Sequence, residues 1–128
     1  MGQTAETDPF NLKRFLDAQN AHFDNERSYY EEACLELKEG SKKEHWMWFI
    51  FPQIEGLGYS AAARLFAISS CEEAGAYLNH LILGPRLRRC AELVNLVKER
   101  SIDEIFGYPD NLKFHASMTL FSRVASMG

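Results

Sequence analysis

Ser41–Tyr59, SKKEHWMWFIFPQIEGLGY, is the stretch on which the reading of this chain turns. It sets His45, Trp46, Trp48, Phe49 and Phe51 close together, follows them with Pro52-Gln53 and closes with Gly56 and Gly58. The apolar run Trp46–Phe51 is far short of the ~20 residues that a membrane-spanning helix needs. Periodicity alone does not separate a buried strand from a short buried helix in such a run. The flanks favour one or two helical turns, because Gly40-Ser41 reads as a stop and restart and Pro52 ends what precedes it. On such a helix Trp46, Phe49 and Ile50 share one face, while His45, Trp48 and Pro52 lie near another. Aromatics on two faces imply an element enclosed nearly all round.

Trp46, Phe49, Ile50 and Phe51 are core material, since large aromatics dominate the energetics of small domains. His45 and Gln53 fit that account less well, because a buried polar group needs a hydrogen-bond partner. Trp48 and Tyr59 carry polar handles too. Aromatic walls with a few convergent polar groups also make a ligand pocket. Two readings of His45 therefore stand side by side: a satisfied structural histidine, or a ligand-binding or catalytic group.

At 128 residues the chain makes one domain. It is 46% hydrophobic and 12% aromatic, which is ample for a core. Leu, Phe, Ala and Glu abound and β-branched residues are scarce, so the expected fold class is all-α: a compact domain of six to seven helices, several of them short. A net charge of −4 gives no support for general nucleic-acid binding. The three cysteines, Cys34, Cys71 and Cys90, are isolated and without a CxxC, which fits buried thiols in a reducing compartment. Residues 1–7 are polar and acidic; they read as a disordered tail and not as a secretory signal. Gly2 does not open a myristoylation motif, because Glu6 stands where Ser or Thr is required. A soluble, cytoplasmic protein with no membrane association is the expectation.

Taken in order, Asp8-Pro9 reads as the cap and first turn of a helix from Phe10 to about Gln19, with Leu12, Phe15 and Leu16 inward. Asp24 reads as the cap of a second helix that ends at Gly40. Tyr30, Ala33, Cys34 and Leu37 make its inner stripe, and Glu31, Glu32, Glu36, Lys38 and Glu39 its solvated face. Ser60 caps AAARLFAI. Ser70–Glu73 and Ser101–Glu104 are capping boxes. Gly84-Pro85 opens a helix expected through Arg100, with Val97 inside. Pro109-Asp110 begins the last helix, in which Leu112, Ala116, Leu120 and Val124 form an apolar line with Phe114, Met118 and Phe121 beside it.

HWMWFIFPQIEGLG, AISS, EAGAYLNH, LGPRLRRC, IFG and KFHASMTLF together resemble the family known as domain of unknown function 1810, over about Asp8 to Val124. The first of these motifs is the most specific. The resemblance implies a compact all-helical domain of bacteria and fungi without an established activity, so it brings no catalytic residues with it. Such proteins often carry the label calpastatin. That label is misleading as a function, since a calpain inhibitor of that name is a polar, disordered chain, and an aromatic-rich composition is the opposite signature. Proteins resembling this one continue past SMTLF into a further helix, whereas this sequence stops at Ser126-Met127-Gly128. The domain expected over 8–128 therefore lacks the family's last helix.

Two functional readings follow. In the first, an aromatic-lined cleft around His45 and Trp48 binds a small anionic or nucleotide-like ligand. Trp48 and Tyr59 would stack on it, Lys42, Arg86 and Lys113 would hold the anion, Gln53 and Ser117 would add hydrogen bonds, and His45 would be the catalytic acid or base. Arg86 lies in a first helical turn, where free backbone N–H groups also favour anions. The plain account of the arginines is a solvated face paired with acids such as Glu92, and that of Ser117 is packing. In the second reading, the aromatic loop or last helix docks a partner protein or a second copy, forming a homodimer. An exposed Trp48 with no pocket behind it would favour the second, and a deep cleft converging on His45 the first. No metal or cofactor is expected: there is no HExxH, no paired Cys and no ExxH on facing helices, and the histidines are scattered. No GxSxG context supports a serine nucleophile.

Overall fold

The computed structural model of the protein describes residues 7–127. Among them are eight helices: α1 (Lys13–Asn20), α2 (Tyr29–Glu39), α3 (Met47–Ile50), α4 (Ala61–Leu65), α5 (Cys71–Asn79), α6 (Leu83–Leu96), α7 (Ile102–Phe106) and α8 (Asp110–Met127). The all-α expectation holds. The eight, against an expected six to seven, include the short helices α3, α4 and α7. The β-type pairing among these residues is two isolated bridges, His22–Ser28 and Ile54–Ile68. No helix of the described residues is long and apolar enough to cross a membrane. Of the tail expected over 1–7, only Thr7 falls within the described residues.

Several boundaries differ from the sequence-based expectation. Asp8 does cap, its carboxylate accepting from the N–H of Leu12 and Lys13 at 2.8 and 3.0 Å. Asn11, however, takes a positive φ of 53°, which postpones the helix to Lys13. Asp24 closes a turn by accepting from the N–H of Glu26 and Arg27. The cap of α2 is instead Ser28, in a reciprocal capping box with Glu31. Gly40 ends α2 in the left-handed region. The Ser101–Glu104 box is complete. At α5 only half of the expected box forms. Ser70 accepts from the Glu73 N–H, but the Glu73 carboxylate is drawn away by Ser69 and by Arg14, the latter at 2.8 Å. Helix α6 ends at Leu96, and Val97 turns into extended backbone.

Helix α3 packs against α1 and α8, and the residues that flank it enter the core. Trp46, Phe51, Phe15 and Tyr77 have no exposed surface. Phe51 meets Phe106 and Phe114 edge-on, and those two rings stack with centroids 4.8 Å apart. Such pairs add about 0.5–1.5 kcal/mol each beyond the area they bury. On α8 the buried line is Phe114, Ser117 and Phe121, while Leu112 is exposed. The expected apolar line is thus rotated, because the serine at its centre hides the inward face from a hydrophobicity reading. Glu32 and Glu36 are likewise buried, not solvated. Their carboxylates have partners from outside the helix, which its own period cannot announce. Cys71 is exposed, Cys34 half-buried and Cys90 buried.

Candidate functional site

The turn from Ser41 to Trp46 is built around one carboxylate. Glu36 Oε1 accepts from the backbone N–H of Lys43 (2.7 Å) and Glu44 (3.0 Å) and from the indole Nε1–H of Trp46 (2.9 Å). Lys42 folds back across the same turn. Its ammonium donates to the Glu44 carbonyl at 2.6 Å and pairs with Asp110 Oδ2 at 2.7 Å, over the Trp46 ring. Asp110, the first residue of α8, also reaches toward Lys113 Nζ at 3.5 Å through its other oxygen. Lys113 in turn lies 5.1 Å from the centroid of the Trp48 ring. Within that distance a cation is attracted by the ring face.

Beyond Trp48 the chain turns outward at Pro52 and pairs briefly with the segment after α4. Ile68 N–H donates to the Gln53 carbonyl at 2.8 Å, and Glu55 N–H to the Ile68 carbonyl at 2.9 Å. Gly56 takes a φ of +93° in the loop that follows. Ser60 then caps α4, its hydroxyl accepting from Ala63 N–H. Between this loop, Trp48 and Lys113 lies a cleft of about 170 Å³. Gln53 and Ile54 line it, as do Tyr59 and, from the α4 side, Ala63 and Phe66.

The structure therefore gathers Trp48, Gln53, Tyr59 and Lys113 around one hollow. The other nominated residues lie elsewhere. His45 is exposed at the end of the Glu36-bound turn, outside the cleft lining. Lys42 is buried in its ion pair, its side chain 7% exposed. Arg86 donates to Gln19 Oε1 and Asn20 Oδ1 and stacks over Tyr30, tying α6 to α1 and α2. Ser117 is fully buried, and its hydroxyl has no hydrogen-bond partner among the described residues. Two further hollows, of about 370 and 700 Å³, lie at the α5–α8 edge and beside the first described residues. Neither contains a nominated side chain. No group of three or more His, Cys, Asp or Glu among the described residues could hold a metal ion.

Two residues of this region escaped the sequence reading. Asp110 was read only as a helix start, although its i, i+3 spacing to Lys113 was a visible signal. Glu36 gave none, because its partners lie in the next segment of chain. It is also coupled to Glu32 one turn earlier. Burial and the Glu32 carboxyl act on Glu36 in opposite senses. With the donors of Lys43, Glu44 and Trp46, its pKa ends below the ordinary carboxylate value. Glu32 moves the other way, raised first by Glu36 and then by burial, despite the Arg27 guanidinium 2.8 Å away.

Comparison with known proteins bears on the whole chain. No curated protein matches its sequence. The chain is similar to the crystal structure of the conserved hypothetical protein Rv1873 from Mycobacterium tuberculosis, with 53% identity and a TM-score of 0.86. The match covers 94% of this chain and 81% of that one. The family model described as protein of unknown function (DUF1810) matches residues 9–127. The chain belongs to that family.

Proposed function

We propose that the cleft beside Trp48 binds a small anionic or nucleotide-like ligand. The observation that carries this reading is the Lys113 ammonium held over the half-buried Trp48 ring at the lip of a hollow. A flat ring can stack on an indole face, and an attached phosphate or carboxylate can take the lysine. Only one of the two Asp110 oxygens faces Lys113, and at 3.5 Å, so the ammonium retains donors for a ligand. At about 170 Å³ the hollow is smaller than the ~300–1,000 Å³ of drug-sized sites. It suits one ring or one anionic group, with the rest of the ligand in solvent. The exposed Tyr59 is placed to cover such a ligand from outside.

In this reading Trp48, Gln53, Tyr59 and Lys113 make the contacts. Lys42 acts one step removed, by fixing Asp110. Arg86 and Ser117 support the scaffold. His45 remains the catalytic candidate if the site carries out a reaction, since its imidazole is exposed at the end of the Glu36-bound turn. A cytoplasmic setting belongs to the same proposal and is supported by the three free cysteines.

Thermal shift with nucleoside mono- and diphosphates, ADP-ribose, NAD and simple anionic metabolites tests it, since a ligand that binds the folded state raises the melting temperature. Stabilisation by one of these in wild type, lost in folded Lys113→Ala and Trp48→Ala proteins but kept in Arg86→Ala, is the expected result. No stabilisation by any of them overturns the ligand reading and leaves the alternative, a docking surface for a partner protein or a second copy. The exposed Leu57 and Tyr59 of the aromatic loop and Leu112 of the last helix favour that alternative.

A further inference from the structure

Helices α2 and α6 lie side by side, and their contacts fix a parallel register. At one end the Arg86 guanidinium stacks over the Tyr30 ring at 4.4 Å. At the other, Val97 packs against Gly40, so closely that a Cβ on Gly40 would sit 3.1 Å from Val97 Cγ1. Arg100 Nε–H donates to the Gly40 carbonyl at 2.7 Å. Cys34 is four residues on from Tyr30, and Cys90 four residues on from Arg86. One turn along both helices therefore brings the two thiols face to face.

The geometry points to Cys34 and Cys90 as an oxidisable thiol pair, in which Cys34 is the site of attack on a hydroperoxide and Cys90 the resolving thiol. Cys34 is half-buried and accessible, whereas Cys90 is buried behind it. Their environments separate the two roles. The Cys90 thiol, the Tyr30 hydroxyl and the charges of Arg89 and Lys38 together outweigh desolvation and lower the Cys34 pKa to about 6. Cys34 and burial raise that of Cys90. A thiolate is the reactive form, and cationic neighbours favour it. The Cys34 thiolate attacks one peroxide oxygen. The O–O bond breaks, the departing alkoxide or hydroxide takes a proton, and a sulfenic acid remains. The Cys90 sulfur then attacks the sulfenic sulfur. The S–O bond breaks, water leaves with the Cys90 proton, and a disulfide forms. In total two thiols are oxidised, one peroxide is reduced, and α2 becomes covalently joined to α6.

The test uses the full chain carrying Cys71→Ser, so that the exposed third thiol is absent. After treatment with hydrogen peroxide at neutral pH, intact mass should fall by two hydrogen atoms, and non-reducing peptide mapping should show a Cys34–Cys90 link. Cys34 should react about threefold faster than an ordinary thiol at neutral pH, its larger thiolate fraction outweighing the lower nucleophilicity of a weaker base. The melting temperature should rise on oxidation and return on reduction, because the cross-link constrains the unfolded chain. A Cys90→Ala chain should stop at a sulfenic acid on Cys34 that dimedone traps. Survival of both thiols, or sulfinic acid on Cys34 with Cys90 still free, overturns the pairing. The mass measurement on the native pair decides the matter even if Cys90→Ala does not fold.

Discussion

The Glu36 carboxylate receives the indole N–H of Trp46 at 2.9 Å, from a position ten residues earlier in the chain. One buried oxygen thereby joins α2 to the start of the aromatic run, and the same oxygen closes the turn through Lys43 and Glu44. Glu36→Ala would leave three donors without an acceptor. The expected loss is about 3 kcal/mol in chemical denaturation, with Glu36→Gln milder because its amide oxygen can still accept. Equal stability of Glu36→Ala and wild type would remove Glu36 from this role.

The Glu32–Glu36 pair predicts a pH dependence. Glu36 has a folded pKa below its ordinary value, so its contribution is present above that value and fades as pH falls through the folded pKa. Glu32 has a folded pKa above the ordinary value, so its contribution is present at lower pH and fades as pH rises through the folded pKa. The pair is at its best in the window around the ordinary carboxylate pKa of about 4.5, where one proton is shared. Glu32→Gln should therefore gain on wild type as pH rises above the ordinary carboxylate value and through the raised pKa of Glu32. Parallel stability curves for the two proteins would show that the carboxylates are not coupled.

Asp110→Asn tests the ion pair behind the cleft. Lys42, its side chain 7% exposed, would keep a buried charge facing no carboxylate, with the Glu44 carbonyl and the Trp46 ring as its remaining partners. Removing one partner of such a pair costs about 3–5 kcal/mol when fully buried, and the 20% exposure of Asp110 puts the expectation at the lower end. Lys42→Met in the Asp110→Asn chain should recover part of the loss. No recovery would mean that the lysine was solvated throughout.

Ser117→Ala should leave stability unchanged or raise it by about 1 kcal/mol, because it removes a buried hydroxyl without a partner. A clear loss of stability would reveal a hydrogen bond that the serine makes within the scaffold.

At Gly84, an added methyl would be driven into the Leu78 carbonyl oxygen, which is backbone and cannot swing aside. Gly84→Ala should cost about 1–3 kcal/mol despite the better helix propensity of alanine. The melting temperature of that single variant checks it.

The sequence by itself determined the helical class and most of the punctuation. Ser60, Ser101 and Gly40 act where their chemistry says they should, because capping is a local transaction between a side chain and backbone three residues away. The family was legible too, since the aromatic run is a specific string. Part of the cleft was readable for a similar reason: Trp48, Gln53, Tyr59 and Lys113 advertise surplus polarity within an aromatic neighbourhood. Only the tertiary structure decided the rest. Glu36 is identical in type to its solvated neighbours, and its burial depends on donors supplied by another segment. Arg86 has the composition of an anion site, yet Gln19, Asn20 and Tyr30 occupy it. Ser117 breaks the apolar line of α8 and so rotated its expected face. Cys34 and Cys90 look isolated along the chain and meet only because α2 and α6 pack in parallel. Local interactions repeat along a sequence with a period that can be read; pairings across 10 to 67 residues do not.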